Sequence, residues 1–176
     1  SSIHGRGVFA TAPIAKGERI VEYRGERITD AEADRRHPAD PSNPYHTFFF
    51  STDEGAIIDA GVRGNAARWI NHSCKPNCEA IEDDDGRVFI VARKPIEPGV
   101  ELAYDYRLFM DGRVSKADRE GYACRCGAKK CRGSMLLAKK KKKKKSKASP
   151  RRGSERGPIA PSIINNLYYL STIHQS

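Results

Sequence analysis

Apolar residues along this chain come in short runs, each closed by glycine, proline or an acidic turn, and that rhythm predicts strands. Residues 8–10 (Val-Phe-Ala) and 20–23 (Ile-Val-Glu-Tyr) read as the first two, set among Gly5, Gly7, Gly17 and Gly25. Residues 47–50 and 56–58 suggest a hairpin around Asp53-Glu54-Gly55, and residues 79–81 and 87–92 another around Asp83-Asp84-Asp85-Gly86. Residues 95–99 turn once more, and 101–106 make a last strand or strand-like segment. Helix enters only briefly. Thr29-Asp30-Ala31-Glu32 has the pattern in which a threonine and a glutamate cap each other's backbone groups, so a short helix starts there. Pro38, Pro41 and Pro44 stop it near His37. Residues 64–70 make a short helix or a turn before Asn71. The fold class is therefore mostly β with short helices, in one domain ending near Leu137.

A length of 176 residues leaves room for a tail beyond such a domain. The net charge of +10 belongs to that tail alone. Residues 139–156 hold eleven basic side chains against Glu155, and the rest of the chain balances, 21 basic against 21 acidic. Seven consecutive lysines followed by Ser-Lys-Ala-Ser-Pro-Arg-Arg-Gly bury too little apolar surface to order, so 139–158 is expected to be disordered. Residues 163–173 are apolar enough to dock as a strand or helix, and the sequence gives them no further assignment. No apolar run approaches the length of a bilayer span, and the first residues are not a signal peptide, so no membrane partner is expected. Five cysteines without a secretory signal favour metal or free-thiol roles over a disulfide framework.

Three of those cysteines form Cys124-Arg-Cys126-Gly-Ala-Lys-Lys-Cys131. Thiolates so spaced can wrap one ion, and structural Zn²⁺ takes four ligands in a tetrahedron. Unlinked thiols are the plain alternative, and three cysteines within eight residues weigh against it. The fourth ligand is Cys74 or Cys78, and composition does not choose between them. Two polar segments stand out beside the cysteines. Residues 68–77 (Arg-Trp-Ile-Asn-His-Ser-Cys-Lys-Pro-Asn) concentrate hydrogen-bonding groups, and Asn71 and His72 together can read a purine edge or an amino-acid head group. Residues 101–106 place Tyr104 and Tyr106 two apart, on one face of an extended segment.

Taken in order, His4-Gly5-Arg6-Gly7, residues 64–74, residues 101–106 and the three clustered cysteines resemble the SET-domain protein-lysine methyltransferases with a post-SET zinc motif. The likeness covers residues 3 to about 137. Short linking lengths and the insert at 37–41 are similar to the small bacterial members, and the post-SET pattern to the mixed-lineage-leukaemia-type SET domain. The chain begins inside the first motif, so sequence is expected to precede Ser1. The resemblance implies a β-clip in which the segment carrying Asn71 to Cys74 threads through a loop closed by residues 101–106. It also implies S-adenosylmethionine and Zn²⁺ as cofactors, with Cys74, Cys124, Cys126 and Cys131 as the metal set and Cys78 free.

By the same resemblance the cofactor contacts are the first loop (His4, Arg6, Gly7), Tyr45, Arg68, Asn71, His72, Tyr106 and, between two zinc ligands, Arg125. Their bland readings are a β-turn, a core tyrosine, an ion-pair partner and an internally satisfied polar turn. Tyr106, Tyr23 and Tyr104 match the catalytic aromatic channel. Transfer would be an in-line displacement by a neutral lysine amine, with alignment and desolvation as the protein's share. A phenol near pKa 10 is a poor base at neutral pH, so Tyr106 is assigned positioning and electrostatics, and the proton leaves by water. A hydroxyl on Tyr104 leaves less room for methylated product, which favours mono- and dimethylation over trimethylation.

The expected division is residues 1–109 as the SET domain, 110–137 as a connecting segment and post-SET zinc loop, and 138–176 as a basic, largely disordered tail. The substrate class is a basic protein, histone or histone-like, acted on by a monomer. Lys139 to Lys147 could add non-specific nucleic-acid contact. Two rival readings are a zinc-stabilised nucleic-acid or nucleoid-binding protein driven by that tail, and an inactive SET scaffold, which the intact Asn71, His72 and Tyr106 oppose. The expected location is cytoplasm or nucleoid in a bacterium, and nucleus or chromosome in a eukaryote or after export to a host.

Overall fold

A computed structural model describes residues 1–37, 41–110 and 113–137, together with the backbone of 168–170. The stretch 139–158 and its lysine run lie outside the described residues. Nine strands fall within the first three segments, in small sheets: β1 (Arg19–Glu22), β2 (Glu26–Ile28), β3 (Phe49–Ser51), β4 (Ile57–Asp59), β5 (Asn71–His72), β6 (Cys78–Glu82), β7 (Val88–Ala92), β8 (Ala103–Tyr104) and β9 (Leu108–Met110). Two helices, α1 (Asp30–Arg36) and α2 (Lys116–Gly121), and a 3-10 turn at Ala66–Trp69 complete them. The mostly β expectation holds.

One sheet has β7 at its centre, antiparallel to both β1 and β6. Its neighbours pair both edges of β7, and the run 88–92 is apolar without alternation: Val88, Ile90, Val91 and Ala92 are buried, while the partly exposed Phe89 ring is covered by the Arg19 and Arg87 guanidinium groups. Val88 and Ile90 are fully buried, with Phe50, Ile70 and Leu102, in the main core. The acidic turn before β7 closes on Gly86, whose φ of +71° is a conformation that glycine adopts without a Cβ penalty. A second sheet has the order β2-β4-β3 and realises the hairpin read at 47–58. α1 packs on it, started by the Thr29 hydroxyl, which accepts from the Glu32 backbone N–H. The Glu32 carboxylate turns to Arg35 and Arg36 instead of back to Thr29. Arg36 in turn reaches Glu26 and the buried Asp59, each at 2.8 Å, which ties the helix to both β2 and β4.

The pairing that builds the site is short. β5 and β8 lie parallel, Asn71 beside Ala103 and His72 beside Tyr104, which brings the two polar segments together. Asn77 extends the join: its side-chain amide donates to the Glu101 carbonyl and its side-chain oxygen accepts from the Ala103 N–H, both at 2.8 Å.

Two readings change. Residues 8–10 make only a single bridge, Phe9 to Glu101, because the chain bends at Thr11 and Ala12 before Pro13, which has no N–H to pair. The segment 101–106 meets Phe9 at the Glu101 bridge, forms a strand only at Ala103–Tyr104 and then kinks at Arg107, whose φ of +51° is left-handed, before restarting as β9. Neither α2 nor β9 was expected, although Ser115 and Asp118 form a complete capping box that is written in the sequence. Within the apolar stretch 163–173, Tyr168–Leu170 forms β10, a strand parallel to β9.

Candidate active site

A cavity of about 510 Å³ opens between the first loop, the 3-10 turn, β5, β8 and the segment after α2. His4, Arg6, Tyr23, Tyr45, Arg68, Asn71, His72, Tyr104, Tyr106 and Arg125 all line it. Ten side chains spread over more than a hundred residues thus face one space. Gly7 is the exception. It stands behind the wall, where a Cβ would lie 2.6 Å from the Glu101 carboxylate, so a side chain there would displace the loop.

The three tyrosines are held differently. The Tyr106 hydroxyl donates to the Ile70 carbonyl at 2.7 Å, and the Tyr23 hydroxyl to the Phe48 carbonyl at 2.9 Å. The Tyr104 and Tyr106 rings lie 4.9 Å apart. Burial pushes the Tyr106 phenol well above its ordinary acidity range, and the Glu101 carboxylate adds to the shift. Burial does the same to Tyr23. Both are therefore neutral hydrogen-bond donors at physiological pH.

The Asn71 amide nitrogen is within hydrogen-bond reach of the Arg6 carbonyl and the Glu101 carboxylate, each at 2.8 Å, and of the His4 carbonyl at 3.4 Å. It fastens the first loop to β8's approach strand. His72 is almost wholly buried, and burial lowers its pKa to about 4 against the pull of Asp105. The ring is neutral. Its Nδ1 accepts the Tyr106 backbone N–H at 3.1 Å, which assigns the proton to Nε2, 3.5 Å from the Cys74 sulfur. The 3.5 Å approach of Asp105 to Nδ1 is thus no ion pair, since that nitrogen carries neither charge nor proton.

Other lining residues were not legible in the sequence. Phe48 and Trp69 meet edge to face, and the Arg68 guanidinium lies over both rings. Arg68 Nη1 donates to the Ala60 carbonyl, but its buried Nε has no partner. Such an orphaned donor at a cavity wall suits a ligand carboxylate. Tyr45 packs edge to face on Tyr122 at 5.1 Å.

The Cys74, Cys124, Cys126 and Cys131 sulfurs all lie within 4.8 Å of one another. Cys74 is 3.7 Å from Cys124 and 3.8 Å from Cys131. Four thiolates around a tetrahedral zinc at its usual bond length would be ~3.8 Å apart. The donor set fits that ion. Cys78 lies elsewhere, fully buried in the main core, and burial raises its thiol to about 11.

Comparison with known proteins agrees with this geometry. The model of the SET domain matches residues 5–107. The chain is 40% identical over 136 residues to the histone-lysine N-methyltransferase trithorax of Drosophila melanogaster, which covers 75% of this chain and 3% of that protein. It is 38% identical over 135 residues to histone-lysine N-methyltransferase 2B of Homo sapiens, covering 75% of this chain and 5% of the relative. With the H3 lysine-4 specific histone-lysine N-methyltransferase of Saccharomyces cerevisiae it shares 39% identity over 139 residues, 77% of this chain and 12% of the yeast protein. The chain therefore spans only a small part of the length of these relatives. Over more than half of its own length it belongs to the SET-domain family.

Proposed function

We propose that this domain transfers a methyl group from S-adenosylmethionine to the ε-amine of lysine in a histone or a histone-like basic protein. The observation that carries the reading is the shared cavity, where neutral buried tyrosines stand beside the Asn71–His72 strand and the cysteine cluster. S-adenosylmethionine would supply a methyl group on a positively charged sulfur. Arg68 Nε offers a donor for the cofactor carboxylate, and the Tyr45 ring in the cavity wall offers apolar surface for its ring. Zn²⁺ would be held by the four clustered cysteines and would fix the wall that carries Arg125 and Tyr122. Tyr23, Tyr104 and Tyr106 exclude water from the lysine amine, which favours its neutral, nucleophilic form. The SET domain would run over residues 1–109 and the zinc loop over 110–137, with the basic tail beyond. A histone substrate would place the protein on chromatin.

Two expected outcomes follow from the walls of the cavity. A Cβ on Gly121 would meet the Tyr45 ring at 2.3 Å, so Gly121→Ala must swing Tyr45 off its place beside Tyr122. Calorimetry should show cofactor affinity falling roughly tenfold, since overpacking a fitted site costs about 1–3 kcal/mol. Tyr104→Phe removes a hydroxyl next to the Tyr106 ring and widens the site, so the wild type should stop at mono- and dimethyl-lysine and the variant should go further. Prompt trimethylation by the wild type, read by mass spectrometry, would refute that preference.

The functional reading is tested by incubating the full chain with deuterated S-adenosylmethionine and core histones and mapping the label by mass spectrometry. Label on histone lysines supports it. No label on any lysine, beside salt-dependent DNA binding that vanishes on removal of residues 138–176, would favour the tail-driven nucleic-acid reading.

A further inference from the structure

The ion pair between Arg132 and Asp105 joins the cysteine loop to the segment between β8 and β9 that carries Tyr106. Arg132 follows Cys131 directly. Its Nη1 and Nη2 donate to the two oxygens of Asp105 at 2.8 and 2.7 Å, the parallel fork geometry that fixes direction as well as distance. The rest of the guanidinium is committed to the same loop, Nε to the Ser134 carbonyl at 2.9 Å and Nη2 to the Met135 carbonyl at 3.0 Å. Met135 lines the cavity, and its own N–H donates to Tyr122, another lining residue. One side chain thereby sets the course of residues 132–135.

Asp105 does the corresponding work on the other side. Its Oδ1 also accepts the Arg107 backbone N–H at 3.1 Å, which closes a small turn over Tyr106. Arg107 is one of two described non-glycine residues with positive φ, and that conformation needs such a support. Tyr106 thus sits inside a turn whose two ends Asp105 holds, while its own N–H is fixed to His72.

We infer that Arg132 and Asp105 are a pair of positioning residues that transmit the closure of the cysteine loop to Tyr106, holding its hydroxyl in register for methyl transfer. Neither side chain lines the cavity or is one of the four clustered thiols. The pair acts through the backbone kink at Arg107. The functional half of this inference rests on the methyltransferase reading; the structural half does not.

The test compares Arg132→Met, Arg132→Lys, Asp105→Ala and the double variant Asp105→Ala/Arg132→Met in the full, zinc-loaded chain. A misplacement of about 1 Å transmitted from outside the cavity can lower activity on the order of 100-fold. The expected result is that kcat falls at least tenfold while KM for a histone substrate moves less than threefold and zinc content stays at one per chain. The double variant should be no worse than the poorer single one, since both break the same link. Arg132→Lys should not rescue, because an ammonium cannot span two oxygens and two carbonyls at once. The readout independent of activity is the amide NMR spectrum, in which the Tyr106 and Arg107 signals should shift in every variant, the effect of Arg132 substitution being felt across the ion pair. A kcat within threefold of wild type would overturn the inference, as would Tyr106 and Arg107 signals left in place. Loss of zinc from Arg132→Met would also overturn it, by making the pair part of metal retention. If the wild type transfers no methyl group, the functional reading fails while the amide signals still decide whether the link exists.

Discussion

Tyr106→Phe is expected to lower methyl transfer by roughly two to three orders of magnitude, the range seen when one preorganised hydrogen-bond donor is removed from an active site. The hydroxyl donates to the Ile70 carbonyl at 2.7 Å, one residue before Asn71. Its removal uncouples the Tyr106 ring from the strand that fastens the first loop. Burial and Glu101 keep the phenol protonated, so the loss is one of position and field rather than of a proton acceptor. Rate should accordingly fall without a shift in its pH dependence. Stability should change less. A buried carbonyl left unpaired costs about 1–3 kcal/mol, which lowers the melting temperature by several degrees without unfolding the chain. Initial rates with labelled cofactor, beside a thermal melt, separate the two effects. An intact rate in Tyr106→Phe would remove the residue from the mechanism.

Zinc removal is expected to have the other large effect. The wall formed by the end of α2 and the residues after it (Glu120, Gly121, Tyr122, Ala123, Cys124 and Arg125) has no long strand to anchor it. Besides the packing of Tyr122 on Tyr45, Met110 and Leu136, it is tied to the rest of the molecule by the sulfur cluster, the Cys74 N–H to Cys126, the Arg132–Asp105 pair and the short bridge from Leu136 to Leu108. Structural zinc binding is worth on the order of 10–16 kcal/mol in small peptides, and with zinc held by the four cysteines part of that would be folding energy. Chelation should melt the loop, open the cavity and reduce cofactor binding at least tenfold. Cys74→Ser and Cys126→Ser should behave alike. Cys78→Ala should keep its zinc, because that sulfur lies in the main core, away from the cluster. Metal content by mass spectrometry, paired with cofactor calorimetry, checks both statements. Zinc retained in Cys74→Ser but lost in Cys78→Ala would reverse the ligand assignment.

Much of this was legible in the residues, for reasons that differ by element. The hairpins around Gly55 and Gly86 announced themselves, because turn residues and apolar flanks act locally. The β7 run could be read as strand because it is apolar on both faces. The pieces of the site stood out in the residues, but their joining was legible only through resemblance. No local rule brings residues 71–72 beside 103–104, a pairing that Asn77 extends through its bonds to Glu101 and Ala103. Arg107 shows the limit most clearly. Its left-handed kink divides what reads as one strand, and it is stabilised by Asp105, whose own partner lies 27 residues away. The helix α2 was a different omission, since its Ser115–Asp118 capping box was present to be read.

The most direct test of the account is a single-turnover reaction of the zinc-loaded chain with S-adenosylmethionine and a histone H3 tail peptide, followed by mass spectrometry. Wild type should place one methyl group on a lysine, and Tyr106→Phe, folded and zinc-replete, should place almost none. Equal transfer by both proteins, or transfer by neither to any histone, would contradict the account.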